Sequence, residues 1–316
     1  MKRSILAFLA VSLIWGSTYL AIRVAIEAYP PFLLGGLRFL AAGAVMYAVA
    51  RLRGEAAPTR VAWGSALLTG TLFFVLGNGL VNVAEKSVSS GLAAVLVSTM
   101  PLWMTIFGRL FGESLTRREL AGVGLGLLGV GVMNAGASLR ASAVGLACVV
   151  VAPMAWALGS LASKRLPLPQ GTVMRTAAQM LAGGAVMMLV AGVTGEPVPT
   201  THPVRAVLAI AYLCVFGSLI GFTAYAYLLR HTSAAIATSY AYINPAIAVA
   251  LGVVFLNEHL DVATAAGAAV VLAAVALVVA GRRAVRAPDG AAGPVAPSRA
   301  EEVEPPDQRR LAARST

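Results

Sequence analysis

Apolar residues in this chain come in long unbroken runs. They show neither the alternation of a half-buried strand nor the one-sided stripe of a soluble helix. Ten such runs are legible: 4–22, 32–50, 61–83, 89–108, 119–137, 143–163, 171–193, 205–229, 234–256 and 262–281. Each approaches the roughly 20 residues that an α-helix needs to cross hydrocarbon. The pattern predicts an all-α polytopic membrane protein with ten transmembrane helices. Met1, Lys2 and Arg3 ahead of Ile5–Ile14 imitate a secretory signal, but no A-x-A site follows and the run continues into Trp15, Gly16 and Ser17. An uncleaved first helix is expected.

The runs repeat. Pro101 answers Pro245, Glu113 answers Glu258, Leu115 answers Leu260 and Gly122 answers Gly267. Upstream, Trp15 and Arg23 match Trp156 and Lys164. The run Leu40–Met46 matches Leu181–Met187, Gly77 matches Gly221, and Lys86 matches Arg230. The expected units are therefore 1–137 and 143–281, followed by a polar tail, 282–316, without periodicity and expected to be disordered. Five spans is an odd number, so the second unit is expected to insert upside down, as an inverted repeat about an axis in the membrane plane.

Composition agrees with a membrane protein. Hydrophobic residues make up 59% and charged residues 12%, about half the charged share of a soluble domain; the mean hydropathy is +0.82. The net charge of +11 comes from basic residues scattered singly between apolar runs. They form no stripe with interleaved aromatics, so no nucleic-acid partner is expected. Read as topology signals with the N-terminus inside, the inner loops hold Lys2, Arg3, Arg51, Arg53, Arg60, Arg109, Arg117, Arg118, Lys164, Arg165 and Arg230. The outer loops hold Arg23, Lys86, Arg140 and Arg205. Both termini are expected to be cytoplasmic.

Several motifs suggest other chemistry and are read as packing. Gly124, Gly126 and Gly129 spell G-x-G-x-x-G, but inside a span rather than after a strand, where small residues let helices approach. Asn244, Pro245 and Ala246 spell the NPA of water channels, yet the matching position is Thr99, Met100 and Pro101, so the second copy is missing. Pro101 and Pro245 are instead expected to act as hinges inside their helices. Cys148 and Cys214 sit singly in apolar runs, and His202, His231 and His259 lie in loops. None forms a metal spacing or a nucleophilic constellation, so no cofactor, metal or catalytic residue is expected.

The opening WGSTYLAIRVAIEAYPPFLLGGLRFLAAG (Trp15–Gly43) resembles the first two helices of EamA-type transporters of the drug/metabolite transporter superfamily. GNGLVNVAEKSVSSGLAAVLVSTMPLW (Gly77–Trp103) resembles their third and fourth helices. The resemblance covers roughly residues 4–281. It implies helices around a central cavity and movement of small metabolites, often outward across the bacterial inner membrane.

Arg38 is the basic residue well inside a span, and Gln179 holds its repeat position. An intramembrane charge is a functional candidate; the bland alternative is snorkelling or a structural bond to carbonyls. Trp15, Thr18, Asn78, Asn82, Trp156, Ser160, Tyr225, Tyr240 and Asn244 lie on spans that line the cavity in the resembled family. Each is either a substrate contact or interhelical glue. Glu85, at the outer end of the third span, is the acidic residue nearest to membrane depth, which lends little to proton coupling through a buried carboxylate. The expected function is a secondary carrier for a small polar metabolite, amino-acid-like or drug-like, exported by alternating access. A passive channel and, further off, an intramembrane enzyme are the alternatives. The expected partners are the small-molecule substrate, the lipid bilayer and, optionally, a second copy in a homodimer.

The charge asymmetry makes a direct prediction. Reporter fusions after Gly54 and Gly281 should read as cytoplasmic and fusions near Glu196 as external. A cytoplasmic reading near Glu196 would overturn the orientation.

Overall fold

The computed structural model describes residues 2–110, 117–135, 142–231, 240, 243–258 and 262–286. Glu113, Arg140, His259 and Leu260 fall outside these residues, as does the chain after Arg286. The described secondary structure is helical. α1 (Lys2–Ala25) and α2 (Pro31–Leu52) are followed by α3 (Arg60–Gly70), which runs through a π-helical segment (Thr71–Gly79) into the short α4 (Leu80–Ala84). Then come α5 (Ser90–Val97), α6 (Met100–Leu110), α7 (Arg117–Ala135), α8 (Ala143–Ser163) and α9 (Thr172–Val193). α10 (Val204–Tyr212) passes through a second π-helical segment (Leu213–Ile220) into α11 (Gly221–His231), and α12 (Asn244–Leu256) and α13 (Val262–Arg286) complete the chain.

Among the described residues, seven helices are long and apolar enough to cross a membrane: Arg3–Ala25, Pro31–Leu52, Arg60–Ala84, Ser90–Arg109, Ala143–Ser163, Thr172–Val193 and Val204–Tyr225. Three shorter apolar helices, Leu120–Gly129, Asn244–Leu256 and Ala265–Leu277, fall on the remaining predicted runs. Large apolar side chains such as Leu6, Leu128, Leu189, Val254 and Phe255 stand exposed on the outside of the bundle. In water such a surface would drive association; in lipid it is the solvated face.

One predicted helix is interrupted, and the described part of another begins beside a proline. The run from Ser90 breaks at Ser98 and Thr99, and α6 restarts at Met100, so Pro101 stands in a first turn. Pro245 likewise opens α12. Neither proline is embedded in a continuous helix, because its missing N–H and fixed φ suit the start of one. The proline inside a helix is Pro153 of α8. The last helix runs on through Arg286, past the predicted boundary at 281.

α2 and α9 pack along each other, and so do α7 and α13. The first pair shows why. Backbone N–H groups of Phe32 and Leu33, at the start of α2, donate to the Glu196 carboxylate at 3.1 and 2.8 Å. Glu196 follows the end of α9. Reciprocally, the Met174 N–H at the start of α9 donates to Glu55, beyond the end of α2, at 3.1 Å. The two helices therefore run antiparallel, each capped by an acid attached to the other, where free N–H groups and the positive end of the helix dipole favour an anion. Glycines bring them close. A Cβ at Gly43 would stand 3.0 Å from the Leu181 N, and one at Gly184 would stand 3.0 Å from the Leu40 N. α3 approaches α9 the same way, with Gly183 against the Gly70 carbonyl. Gly126 and Gly129 of α7 meet Ala274 and Val271 of α13, so the glycine motif lies at a helix contact.

At Gly183 the obstacle is backbone, so no rotamer change relieves it. Gly183→Val should markedly lower the thermal midpoint in detergent and the yield of folded protein. Gly192→Val, which meets open space within 4 Å, should behave as wild type. Equal behaviour of the two would contradict the α3–α9 contact.

Candidate functional site

The site begins with α1. Trp15, Thr18, Tyr19 and Ile22 share one face of it, at the spacing that stacks side chains along a helix. They wall a cavity of about 100 Å³ among the helices, room for several waters or a small solute. The facing walls come from the first π-helical segment and α4 (Gly77, Asn78, Val81), from the break between α5 and α6 (Val97, Ser98, Met100) and from α8 (Ala152, Pro153, Trp156). Arg38 of α2, Phe222 of α11, Tyr240 and Asn244 close it.

Aromatic rings make the structure of the wall. The Trp15 Nε1 donates to the Gly217 carbonyl at 3.0 Å, in the second π-helical segment. Its ring lies 5.0–5.3 Å from those of Tyr240, Phe222 and Tyr225. Trp156 stands edge-on to Phe73 at 5.6 Å. Two repeat-related glycines make room for the two indoles: a Cβ at Gly77 would meet Trp156, and one at Gly221 would meet Trp15. Gly77 lies within the first π-helical segment and Gly221 directly follows the second. A π-helical stretch loosens the regular ladder, and in the first of them Asn78 donates its side-chain N–H to the Phe73 carbonyl at 3.0 Å.

Arg38 is the charged group of the cavity. It is 4% exposed. Its Nε donates to Ser218 Oγ at 2.9 Å, and its guanidinium carbon lies 4.6 Å from the centre of the Phe39 ring. Gly217 allows that approach, since a Cβ there would stand 3.0 Å from Nη2. Among the described residues no acid lines the cavity and Arg38 has no ion-pair partner. The arrangement offers a cation, two amides and four hydroxyls within apolar and aromatic walls, a lining compatible with a small polar solute. Gln179, at the repeat position of Arg38, lies outside the cavity lining; its Nε2 donates to Thr69 Oγ1 at 2.9 Å and Ser163 Oγ at 3.1 Å.

Of the sequence candidates, Trp15, Thr18, Arg38, Asn78, Trp156, Tyr240 and Asn244 meet at the cavity. The other three do not line it. Asn82 is buried and donates to the Pro31 carbonyl at 3.0 Å, Ser160 donates to the Trp156 carbonyl at 2.9 Å, and Tyr225 packs behind Trp15 and Tyr240. In the amide orientation that satisfies its neighbours, Asn244 donates to the Ser12 and Tyr240 carbonyls, each at 3.1 Å. Neither Pro101 nor Pro245 lines the cavity, though Met100 and Asn244 beside them do. Tyr19, Ile22, Pro153 and Phe222 were missed by sequence reasoning. Tyr19 and Ile22 follow Trp15 by four and seven residues, a spacing that already marks one helix face. Glu85, expected at the outer end of the third span, is fully buried.

Apolar helices long enough to span a bilayer, gathered around a partly open cavity that Arg38 borders, define a polytopic membrane protein. The EamA-like transporter family matches residues 2–135 and 143–280. The inner membrane transporter YedA of Escherichia coli (strain K12) is 41% identical over 277 residues, covering 87% of this chain and 90% of that protein. The transporter YvbV of Bacillus subtilis (strain 168) is 26% identical over 279 residues, with 87% and 90% covered. A crystal structure of a protein 24% identical in sequence has the same fold, with a TM-score of 0.60 over 90% of this chain and 99% of that one. The chain belongs to the EamA-like transporter family, within the drug/metabolite transporter superfamily.

The Trp15 wall is testable by crowding. Gly221→Val should push the indole off the Gly217 carbonyl and shift the intrinsic tryptophan fluorescence, whereas Gly64→Val, in open space, should leave the spectrum unchanged. An unchanged spectrum for Gly221→Val would overturn the packing described.

Proposed function

We propose that this protein is a secondary carrier that exports a small polar metabolite bearing a carboxylate or other anionic group across the bacterial cytoplasmic membrane. The reading has ten spans in two inverted five-helix repeats, with both termini cytoplasmic and Pro101 and Pro245 marking the breaks about which helices reorient. Alternating access exchanges the roles of the repeats. The reciprocal caps of Glu55 and Glu196 and the matched Gly77–Trp156 and Gly221–Trp15 contacts support the inverted relation. The inner-membrane placement is supported by the relative YedA. Trp15, Thr18, Asn78, Trp156, Tyr240 and Asn244 are the proposed substrate contacts besides Arg38.

The observation that carries the anionic substrate is Arg38. A guanidinium at the centre of a span costs at least about 2.5 kcal/mol on insertion scales, and at the repeat position Gln179 provides a neutral alternative. The charge nevertheless borders the cavity; among the described residues its hydrogen bond runs from Nε to Ser218 Oγ, which leaves the terminal nitrogens for an incoming anion. Lysine keeps the charge but loses the bidentate fork. In proteoliposomes, counterflow of carboxylate-bearing L-amino acids should therefore fall partly in Arg38→Lys and mostly in Arg38→Gln, with both variants folded. Normal counterflow in Arg38→Gln would make the arginine structural. Comparison of extracellular metabolites from deletion and overexpression strains identifies the substrate and the direction.

A further inference from the structure

Glu85 is the buried acid that the cavity chemistry leaves unused. It directly follows α4, it is 0% exposed, and among the described residues neither of its carboxyl oxygens has a hydrogen-bond partner. Val81, one turn earlier, lines the cavity, as does Tyr19, which lies within electrostatic reach of the carboxyl. Its chain neighbours Ala84 and Val88 belong to an apolar cluster that also holds Ile22 and Leu92. The Arg23 guanidinium approaches from α1, yet its Nη1 donates to the backbone carbonyl of Glu85 and not to the carboxylate.

The other titratable groups around this site are few. Glu258, after α12, lies within charge range of Glu85 but is engaged by Ser90 and Gly91: their N–H groups and the Ser90 hydroxyl donate to its carboxylate at 2.8–3.3 Å. α8 brings Cys148 to the same cluster, α5 brings no titratable group, and the first on α2 is Arg38. On its own segment, Lys86 points to solvent.

A carboxylate stripped of water and of donors costs several kcal/mol, and such a group takes up a proton instead. Glu85 stands just past the span Arg60–Ala84. Burial holds its carboxyl well above the usual carboxylate range; the Arg23 guanidinium pulls the other way, and the Glu258 carboxylate adds to the rise. A hard metal cation is a poor occupant, because it needs several oxygen ligands and no group of three His, Cys, Asp or Glu that could hold one is found among the described residues.

We propose that Glu85 is a proton-binding site that couples solute movement to the proton gradient, a step that rests on the carrier reading above. In this conformation the acid is neutral and Arg23 holds its backbone carbonyl. When the helices part and water reaches the site, the proton leaves the carboxylic acid for water. Arg23 then moves from the carbonyl to the carboxylate, so the new negative charge is paired. Reclosure of the apolar cluster requires the carboxylate to take one proton back. The proton is picked up on one side and released on the other, one per cycle.

The test uses the full chain in lipid. Difference infrared spectra across a pH titration should show the carbonyl stretch of a protonated carboxylic acid that fades as pH rises and is absent from Glu85→Gln. Glutamine mimics the neutral acid in shape, so that variant should remain folded. Arg23→Gln, lacking the cation that favours the charged form, should move the fading to higher pH. The thermal midpoint should carry the same signature. The folded acid keeps its proton at pH values where the unfolded one has lost it, so stability falls as pH rises from the ordinary carboxylate range to the raised one. Glu85→Gln should remove that slope. Counterflow of carboxylate-bearing L-amino acids should depend on pH in wild type and not in Glu85→Gln. No such band in wild type, or a band or pH slope kept by Glu85→Gln, would overturn the proposal. A band lost in Glu85→Gln with no wild-type counterflow of any probe leaves Glu85 a proton site and overturns the carrier reading instead.

Discussion

Hydrocarbon satisfies no backbone N–H, so each helix end in this bundle must find its partner in protein or at the water boundary. That constraint shapes the rest. Glu196 caps α2, Glu55 caps α9, and Glu258 caps α5; in each case the acid belongs to a distant part of the sequence. An acid at a helix N-terminus is favoured by the dipole and by the unpaired donors together. The caps thus fix which helix ends meet, and the glycines fix how closely. Apolar contact alone would not, because lipid tails are as apolar as leucine.

With α2 held against α9 and the outer helices paired, the inner faces of α1, α3–α4, α8 and α10–α11 are left to meet across the cavity. Regular helices would close it. Two π-helical segments and the break at Ser98–Thr99 keep it open by disturbing the ladder where the indoles, Asn78 and Arg38 need space and spare carbonyls. The irregular backbone sits inside protein, where a lost helical bond can be replaced by a side chain.

Much of this was legible in the residues. The apolar runs mark the helices, and the matched pairs Trp15 with Trp156 and Gly77 with Gly221 foretell the two indole-on-glycine contacts. Arg38 stands out because a charge in a long apolar run is expensive. The π-helical segments were not legible, since TLFFVLGNG and LCVFGSLI read as ordinary helix formers; what selects them is the contact across the cavity. Glu85 was misjudged for a related reason. It reads as the outer end of the third span, and its burial comes with long-range neighbours, Arg23 of α1 and Glu258, that the local sequence does not show.

Under the proposed inverted repeat, the scaffold is nearly symmetric and the charges are not. Arg38 faces Gln179 across the repeat relation, and Glu85 faces Leu229, the residue before Arg230 as Glu85 is before Lys86. The cavity cation and the buried acid therefore both belong to the first half. A fully symmetric carrier has two open states of equal free energy, and only the gradients outside it decide which way solute moves. Under the proposed alternating access the two states would differ, because one moves the environment of Arg38 and Glu85 and the other that of the neutral Gln179 and Leu229. A ligand or proton shifts such an equilibrium only through its differential interaction with the two states. Placing both groups in one half gives solute and proton a common set of helices, α1, α2 and α4, on which to act.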